Sequence, residues 1–384
     1  VPAPDAVNET AIRILREQPE LIHCYTSAQG DAQARQRFAD SLNRRFGTCY
    51  TADQFYITVG AAASLCCVFN GLTCPGDEFV VFAPYFPEYK VFIEGAGAKM
   101  VLIPPEIEGF QIDFDAFEAA ISEHTKGVVV NSPNNPSGVV YSRETLERLA
   151  AILTEKSRAY GHPIYLISDE PYREIVFSGF QVPWIPQLYP DTIVCYSFSK
   201  SLSLPGERIG YVLVPPQAEE ADLVYAAICG AGRALGYVCA PKPIIQCLTK
   251  LHQFGIMSAP TVSQYAAIEA MRNGDRDIEH MREEYDSRRR YLVENLRRIG
   301  LSCFEPKGAF YVFPDIRSTG LTSNEFCERF LREERVAVIP GSAFGPGGEG
   351  FVRACYAASM KDISEAITRM DNFLTNLRRS QGRG

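Results

Sequence analysis

The sequence has little of what marks a metal site, a secreted protein or a membrane protein. Its five histidines lie far apart, and no two of them are spaced i, i+4 as in a helical metal motif. No uninterrupted apolar run reaches about 18 residues, so the sequence predicts no membrane-spanning helix. No charged and then apolar leader opens the chain, so no signal peptide is predicted. We therefore expect neither a metal centre nor a Ser/His/Asp triad.

Positive charge is also scarce. The chain has 38 Lys and Arg against 46 Asp and Glu, a net charge of −8. The basic residues are scattered apart from the run Arg288–Tyr291 and the pair at Arg378, which we interpret as solvated helix faces. Such a distribution disfavours nucleic acid and anionic membranes as partners. The twelve cysteines show no CxxC spacing and mostly lie in apolar runs, so we expect reduced, buried thiols in a cytoplasmic protein.

What the chain does contain is an alternation of strand-like and helix-like segments. Short apolar runs that predict strands occupy 55–60, 78–84, 98–105, 126–133, 164–170, 192–199 and 208–214. Helical patterns lie between several of them, at Ala61–Asn70, Phe114–Ser122 and Ser142–Tyr160. Nearly continuous apolar strands separated by helices predict an α/β fold with a mainly parallel sheet covered by helices. In such a sheet, binding sites gather at the carboxyl ends of the strands.

The pattern of predicted helices and strands changes near Ile278. A long charged helix is followed by short apolar runs and by two further helical patterns, at Ser323–Glu333 and Met360–Arg378. We predict a large α/β domain spanning 26–275 and a smaller α+β domain formed by 1–25 together with 276–384.

Several polar residues fall where the predicted strands end. Gly60, Ala61 and Ala62 open a helix directly after a strand, where free N–H groups suit a phosphate, although small residues before a helix are common. Asn135 lies in the turn-rich stretch "NSPNNPSG" that follows another strand. Asp169 ends a third strand, where a carboxylate favours a protonated nitrogen opposite it; the alternative is an ordinary N-cap.

Lys200 follows the strand at 192–196. Burial at a strand end lowers the pKa of a lysine, and a neutral lysine attacks carbonyl groups to form imines. Ser197, Ser199 and Arg208 surround it in sequence and supply donors for a dianion, and Tyr172 can reach the same ligand as Asp169. These residues together require a ligand with an aldehyde, a phosphate and a basic ring nitrogen. Pyridoxal 5′-phosphate is that ligand.

The same residues carry a resemblance to a known family. The motif S-x-S-K-(x)7-R-x-G-Y from Ser197 to Tyr211 follows N-P-x-G at Asn135 and D-x-x-Y at Asp169 in the family order. On these motifs the chain resembles the fold-type I aminotransferases of class I/II over nearly its whole length, nearest to bacterial aromatic and aspartate-type enzymes. The resemblance implies transfer of an amino group from an L-amino acid (aromatic, aspartate or broad range) to a 2-oxo acid such as 2-oxoglutarate.

The resemblance also implies roles for individual residues. Lys200 would hold pyridoxal phosphate as an internal aldimine and move a proton between the substrate Cα and the cofactor C4′. Asp169 would pair with the protonated pyridine nitrogen. Tyr172 and Asn135 would hydrogen-bond the 3′-oxygen of the ring, and Asn135 would also contact the substrate.

The remaining roles concern the phosphate, the ring face and the substrate carboxylate. The phosphate would be held by Gly60, Ala61, Ala62, Ser197, Ser199 and Arg208. Phe86 lies where the family stacks an aromatic residue on the ring, with Tyr85 as a rival. Arg353, in "GFVRACYA", would clamp the substrate α-carboxylate. Tyr25, in "CYTSAQG", would reach the phosphate of a neighbouring subunit, which implies a homodimer.

Three features depart from the family pattern. The family has a stretch before "VPAPDAV" whose glycine N–H contacts the substrate, and that stretch is either missing from this chain or lies before Val1. "IGYVLVP" at 209–215 recurs as "LGYVCAP" at 235–241, so Cys239-Ala-Pro241 and Ser258-Ala-Pro260 both fit the small-Pro element at the domain junction. The two parts of the chain resemble different branches of the family, so an insertion and a mosaic chain are both open.

Two other functions are compatible with the same motifs. A β-eliminating carbon–sulfur lyase shares the fold and the Cα deprotonation step. A pyridoxal-phosphate-binding regulatory domain also shares the fold, but the sequence shows no DNA-binding segment beside it. Because Arg353 would hold the carboxylate in the ring plane and leave the Cα–H open to Lys200, transamination is favoured over decarboxylation.

Overall fold

A seven-stranded sheet forms the centre of the fold. The computed structural model describes residues 2–18, 26–106, 109–232 and 268–381. The strands of the sheet are β1 Phe55–Thr58, β2 Glu78–Phe82, β3 Lys99–Ile103, β6 Thr125–Asn131, β7 Tyr165–Asp169, β8 Thr192–Ser197 and β9 Gly210–Leu213. They lie in the order β1-β9-β8-β7-β6-β2-β3. A separate hairpin pairs β4 Pro105–Glu106 with β5 Gln111–Ile112.

The direction of the strands brings several polar residues to one edge of the sheet. β2, β3, β6, β7 and β8 are parallel neighbours, whereas β9 runs antiparallel to both β8 and β1. The prediction of a mainly parallel sheet is therefore confirmed. In the ladder Asn131 lies opposite Asp169, and Ser197 lies opposite Gly210. The carboxyl ends of β6, β7 and β8 thus meet the beginning of β9 at a single edge.

Helices cover both faces of this sheet. Their bounds are α1 Asp5–Glu17, α2 Ala32–Phe46, α3 Ala61–Leu72, α4 Glu88–Gly95, α5 Phe114–Ala120, α6 Arg143–Tyr160, α7 Phe198–Ser201, α8 Ala221–Gly232, α9 Asp275–Arg298, α10 Ser323–Glu334 and α11 Met360–Gln381. Residues 268–273 are also helical. Within the described part of the chain, no helix has the length and apolarity needed to cross a membrane.

Burial on both faces explains why the strands are apolar at almost every position. In β6 the side chains of Val128 and Val130 enter one core cluster, and Val129 enters the cluster on the opposite face. In β8 Ile193 and Val194 alternate between faces in the same way. Each fully buried aliphatic side chain contributes roughly 1.5–3 kcal/mol, so neither face tolerates the polar alternation of a half-exposed strand.

Local signals set the ends of the helices. The side chain of Ser142 accepts a hydrogen bond from the N–H of Thr145 and caps α6, and Gly161 ends this helix in the left-handed conformation. Thr322 and Glu325 form a reciprocal capping box at the start of α10. These caps lie within a few residues of the boundaries predicted from the sequence.

The C-terminal part of the chain forms a second, smaller layer. β10 Tyr311–Val312, β12 Val352–Cys355 and β11 Ile339–Pro340 make an antiparallel sheet in that order. This sheet packs with α9, α10 and α11 in a core cluster that also contains Tyr172 and Phe177. The division of the chain at 275 and 276 stays a prediction.

The prediction that the run Arg288–Tyr291 is solvated is wrong for Arg289. This arginine is 2% exposed, and its guanidinium pairs with Asp286 and Glu305 at 2.7 Å each. Its position four residues after Tyr285 and four before Val293 places it on the buried face of α9. A run of like charges therefore spans both faces of a helix, and only one of those faces is solvated.

The prediction of buried thiols is only partly correct. Among the described cysteines, Cys67, Cys195, Cys303 and Cys327 are buried. Three others are exposed because they lie at the ends of elements or in loops, namely Cys49, Cys74 and Cys355. Tyr25, the recurrence at 235–241 and both candidates for the small-Pro element lie outside the described residues.

Candidate active site

A cavity of about 320 Å³ opens at the polar edge of the seven-stranded sheet. Eleven of the residues predicted from the sequence line it: Ala61, Ala62, Phe86, Asn135, Asp169, Tyr172, Ser197, Ser199, Lys200, Arg208 and Arg353. Gly60 lies directly beside it, against the Arg208 guanidinium. The structure therefore brings residues from five separate strand ends and from the C-terminal sheet into one space.

Lys200 lies in the short helix α7, immediately after β8. The side chain of Ser197 caps this helix by accepting a hydrogen bond from the N–H of Ser199, and its hydroxyl donates to the Ser199 hydroxyl at 2.8 Å. The Lys200 amino group lies 5.3 Å from the centre of the Phe310 ring. Burial lowers the pKa of Lys200; Cys355 opposes this effect, and the positive charges of Arg353 and Arg208 add to it. The amine is thus biased toward its nucleophilic form.

One end of the cavity is built to receive an anion. The helix α3 begins there, and the first N–H groups of a helix have no partner within it. Arg208 is held by the carbonyl groups of Val59 and Pro205, at 3.0 and 3.2 Å. Gly60 has a φ of 102°, and a Cβ placed on it would lie 2.8 Å from Nη2 of Arg208. A side chain at position 60 would be strained at this φ and would displace the guanidinium from its place beside the helix terminus.

Asp169 lines the same cavity and has one carboxylate oxygen that no described residue contacts by a hydrogen bond. Its Oδ2 accepts a hydrogen bond from the buried Tyr89 hydroxyl at 2.5 Å. Its Oδ1 is buried and has no hydrogen-bond partner among the described residues. Burial raises the pKa of Asp169 to about 7, and the charge of Glu170 adds to the shift, while the bond from Tyr89 opposes it. Such a carboxylate favours a cationic hydrogen-bond donor.

Asparagine side chains connect the sheet edge to Arg353. Asn131 donates from Nδ2 to the carbonyl of Asp169 at 2.9 Å and accepts from the N–H of Asn135 at 2.7 Å. The Oδ1 of Asn135 in turn accepts from Nη1 of Arg353 at 3.0 Å. The Arg353 guanidinium contacts two rings, 4.4 Å from the centre of Tyr311 and 4.9 Å from that of Phe344. It is therefore oriented before any ligand binds.

Tyr172 is buried between β7 and the C-terminal sheet. Its hydroxyl lies 3.3 Å from the hydroxyl of Tyr311, and its ring meets that of Phe310 edge-on. Burial raises the pKa of Tyr172 well above its usual value, so this phenol stays protonated. A protonated phenol at the cavity wall is a hydrogen-bond donor toward a bound ligand.

A buried ion-pair network supports the cavity from behind. Arg173 donates to Glu170 at 2.7 Å, to Glu174 at 3.3 Å and to the hydroxyl of Tyr211 at 3.2 Å. Glu174 also accepts from the hydroxyl of Tyr196, which lies 2.8 Å from the hydroxyl of Ser201 in α7. The network thus ties the segment that carries Asp169 to the helix that carries Lys200.

Sequence reasoning missed two residues that touch the site through hydrogen bonds. Tyr89 lies in the first turn of α4, three residues after Phe86, and that spacing is its only signal in the sequence. Asn131 is the last residue of β6, a position equivalent to that of Asp169 in β7. Between the two rival aromatic residues, Phe86 lines the cavity, whereas Tyr85 packs against Gly345.

The residues present fit pyridoxal phosphate. The orphaned Oδ1 of Asp169 matches a protonated ring nitrogen, and the helix terminus with Arg208 matches a phosphate. Lys200 supplies an amine for the aldehyde. In the described residues, no cluster of potential metal ligands occurs.

Comparisons with known proteins identify relatives of this chain. Residues 3–370 match the family model described as aminotransferase class I and II. The chain is 34% identical over 376 residues to an aspartate aminotransferase of Pyrococcus horikoshii, and this alignment covers 97% of this chain and 87% of that protein. A solved amino transferase from Eubacterium rectale is 45% identical with a TM-score of 0.86, covering 98% and 88%. A solved aromatic aminotransferase from Pyrococcus horikoshii is 30% identical with a TM-score of 0.85, covering 98% and 93%.

Proposed function

The chain belongs to the class I and II aminotransferases, which depend on pyridoxal 5′-phosphate, and on this premise we propose that it moves the amino group of an L-amino acid with a large apolar or aromatic side chain to a 2-oxo acid such as 2-oxoglutarate. The observation that carries the proposal is the single cavity shared by Lys200, Asp169 and Arg353. These three side chains supply an amine, a partner for a cationic ring nitrogen and a clamp for a carboxylate.

When bound, pyridoxal phosphate supplies an aldehyde carbon for amino groups and a ring that withdraws electrons from the substrate Cα. Asp169 would accept a hydrogen bond from its ring nitrogen, and Tyr172 and Asn135 would donate to its 3′-oxygen. The phosphate would be held by the N–H groups of Ala61 and Ala62, the hydroxyls of Ser197 and Ser199, and Arg208. Phe86 would pack on the ring.

The proton transfer is assigned to Lys200. Its amino group is half-buried and its pKa is lowered, so at neutral pH a larger fraction is able to accept a proton than for an exposed lysine. Lys200 Nζ would accept the proton that leaves the substrate Cα. Arg353 would hold the α-carboxylate through paired N–H donors, which fixes the direction in which that proton faces.

The preference for an apolar side chain follows from the described lining. Its cations are already assigned, since Lys200 carries the proton, Arg208 faces the phosphate end and Arg353 takes the α-carboxylate. The rest of the lining is largely aromatic and apolar, including Leu65 and Tyr311. Among the described lining residues, no further cation is available to pair with the side-chain carboxylate of aspartate. Aspartate would therefore be a poorer donor than phenylalanine or tyrosine.

We further propose that the enzyme is a cytoplasmic homodimer in which Tyr25 completes the phosphate site of the neighbouring subunit. The exposed position of Arg208 at the phosphate end supports a second chain at this place. The described cysteines are not joined in disulfides, which supports a reducing compartment. Sedimentation of the loaded enzyme measures the mass of the assembly and so tests the dimer. Tyr25→Phe should weaken cofactor binding and leave the mass of the dimer unchanged.

A panel of amino donors tests the proposed reaction. Loaded enzyme is mixed with each L-amino acid in the presence and absence of 2-oxoglutarate, and the absorbance of the cofactor and the released products are followed. We expect conversion of the cofactor to its amine form with phenylalanine or tyrosine, with lower kcat/KM for aspartate. Release of pyruvate and ammonia from cysteine-type donors without use of the oxo acid would instead identify an eliminating lyase. Arg353→Lys is the matched variant, because it keeps the charge and loses the paired donors.

A further inference from the structure

Tyr311 contacts two parts of the site that act on different groups. Its hydroxyl lies 3.3 Å from that of Tyr172, and its ring face lies 4.4 Å from the guanidinium carbon of Arg353. It is 7% exposed and lines the cavity. Under the proposed function, Tyr172 would contact the cofactor ring and Arg353 would contact the substrate carboxylate.

The direction of the hydroxyl contact follows from the number of protons. Each phenol has one proton to donate. Under the proposed function Tyr172 donates its proton to the 3′-oxygen of the cofactor, so it has none left for Tyr311. The hydroxyl of Tyr311 must therefore donate to the oxygen of Tyr172. Hydrogen bonds in such a chain polarise one another, so the bond from Tyr311 strengthens the bond that Tyr172 donates.

The ring contact is fixed by the C-terminal sheet. β10 pairs with β12 so that Tyr311 lies opposite Cys355, and Cys355 is two residues beyond Arg353 on the same face of its strand. The ring of Phe344 also contacts the guanidinium, with its centre 4.9 Å from the guanidinium carbon. Each of the two rings contributes a cation–π contact that restricts the guanidinium.

We propose that Tyr311 is a positioning residue that serves both halves of the site: its hydroxyl directs the proton of Tyr172 toward the cofactor, and its ring holds Arg353 in the orientation that receives the α-carboxylate. This inference rests on the proposed function, because it assumes that Tyr172 donates to the cofactor and that Arg353 binds the substrate. The two contacts are separable by substitution, since the hydroxyl and the ring of Tyr311 act on different partners.

The first experiment follows the visible absorbance of the loaded enzyme as a function of pH. A hydrogen bond to the 3′-oxygen lowers the pH midpoint of this absorbance change, so Tyr172→Phe should raise the midpoint by about 1–2 pH units. Tyr311→Phe removes only the strengthening bond, and we expect a rise of about 0.2–0.5 units with KM for the amino acid unchanged. An unchanged or lowered midpoint in Tyr311→Phe, with Tyr172→Phe shifted, overturns the inference and leaves the proposed function standing.

The second experiment separates the ring from the hydroxyl by steady-state kinetics. Tyr311→Leu should raise the midpoint as Tyr311→Phe does, and should also raise KM for both the amino acid and the oxo acid by about 3- to 10-fold. Phe344→Leu is the matched control, since it removes the other ring from Arg353 without touching Tyr172; it should raise KM and leave the midpoint in place. Equal KM values for Tyr311→Leu and Tyr311→Phe would overturn the assignment of the ring.

A failure of the proposed function gives a different pattern. In that case Tyr172→Phe itself leaves the pH midpoint of the absorbance change unchanged, and the inference on Tyr311 is refuted together with the proposed function. The affinity of the apoenzyme for pyridoxal phosphate, measured by fluorescence titration, supplies a readout that does not depend on turnover. We expect Tyr172→Phe to weaken it more than Tyr311→Phe does, and Phe344→Leu to leave it unchanged.

Discussion

Asp169→Asn replaces a buried carboxylate by an amide of nearly the same shape. Oδ2 of Asp169 accepts the bond from Tyr89, and Oδ1 has no partner among the described residues. The amide of Asn keeps an oxygen for Tyr89 and carries no charge. We therefore expect the apoenzyme of this variant to be more stable than the wild-type apoenzyme at pH 8, although the variant loses the residue that matches the cofactor nitrogen.

The size of the effect follows from the pKa of Asp169. Burial raises this pKa from 3.8 to about 7 in the folded apoenzyme, so folding favours the protonated form. The folded state then binds more protons than the unfolded state between about pH 4 and pH 7, and stability falls as pH rises through this window. At about 1.4 kcal/mol per unit, the full penalty above pH 7 is about 4 kcal/mol. Between pH 5 and pH 8 the advantage of Asn should grow by about 3 kcal/mol.

Urea unfolding of both apoenzymes at pH 5 and pH 8 measures this difference. Asp315→Asn is the control: burial alone would raise the pKa of Asp315, but the hydrogen bonds and charge of Arg317 lower it, so its contribution is lost only at acid pH. The difference between Asp315→Asn and wild type should stay constant from pH 5 to pH 8. The reasoning is refuted if the advantage of Asp169→Asn is equally constant, or if that variant is less stable at pH 8. Adding pyridoxal phosphate should reverse the order, because a cationic partner stabilises the ionised carboxylate.

Three further predictions concern the lysine, the phosphate end and the buried network. Lys200→Ala should abolish turnover and the visible absorbance of the bound cofactor while the phosphate contacts still retain some cofactor, as measured by spectrum and filtration; residual turnover near the wild-type level would contradict its role. Gly60→Ala should weaken cofactor binding by at least about 10-fold in fluorescence titrations, because the new methyl group would lie 2.8 Å from Arg208. Gly76→Ala is the control: Gly76 has a similar φ of +96° but no atom within 4 Å of the added methyl group, so cofactor binding should stay unchanged. Arg173→Met should lower the free energy of unfolding in urea by about 3–5 kcal/mol, because Glu170 and Glu174 stay buried and lose a partner. Arg289→Met should lower it less, because Asp286 and Glu305 are partly exposed. Equal losses of unfolding free energy in the two variants would contradict this account.

The sheet and most of the cavity lining could be predicted from local patterns. Each strand is buried on both faces, so it appears in the sequence as a nearly unbroken apolar run, and the polar residue that follows marks its end. Lys200, Asp169 and Asn135 were found in this way. Helix starts were found because side-chain caps such as Ser142 act within three residues.

The rest depends on contacts between distant segments. The hydroxyls of Tyr172 and Tyr311 meet across 139 positions of the chain, and Tyr89 meets Asp169 across 80. No local period encodes such pairs. Arg289 was misjudged for the same reason, since its partner Glu305 and the ring of Phe177 lie outside its own helix. Long-range packing decides whether a charged residue in a helix is solvated.

The position of β1 in the sheet has a consequence for synthesis of the chain. β1 is the first strand of the sheet to leave the ribosome, yet its one neighbour among the described strands is β9, about 150 residues later. At roughly 5–20 residues per second, this interval lasts on the order of 10–30 s. During that time Phe55–Thr58 has no sheet partner, and Arg208 has not yet been synthesised to pack beside Gly60. A nascent chain should therefore gain affinity for phosphate only after β9 has emerged, which binding assays on chains arrested on either side of that point would detect.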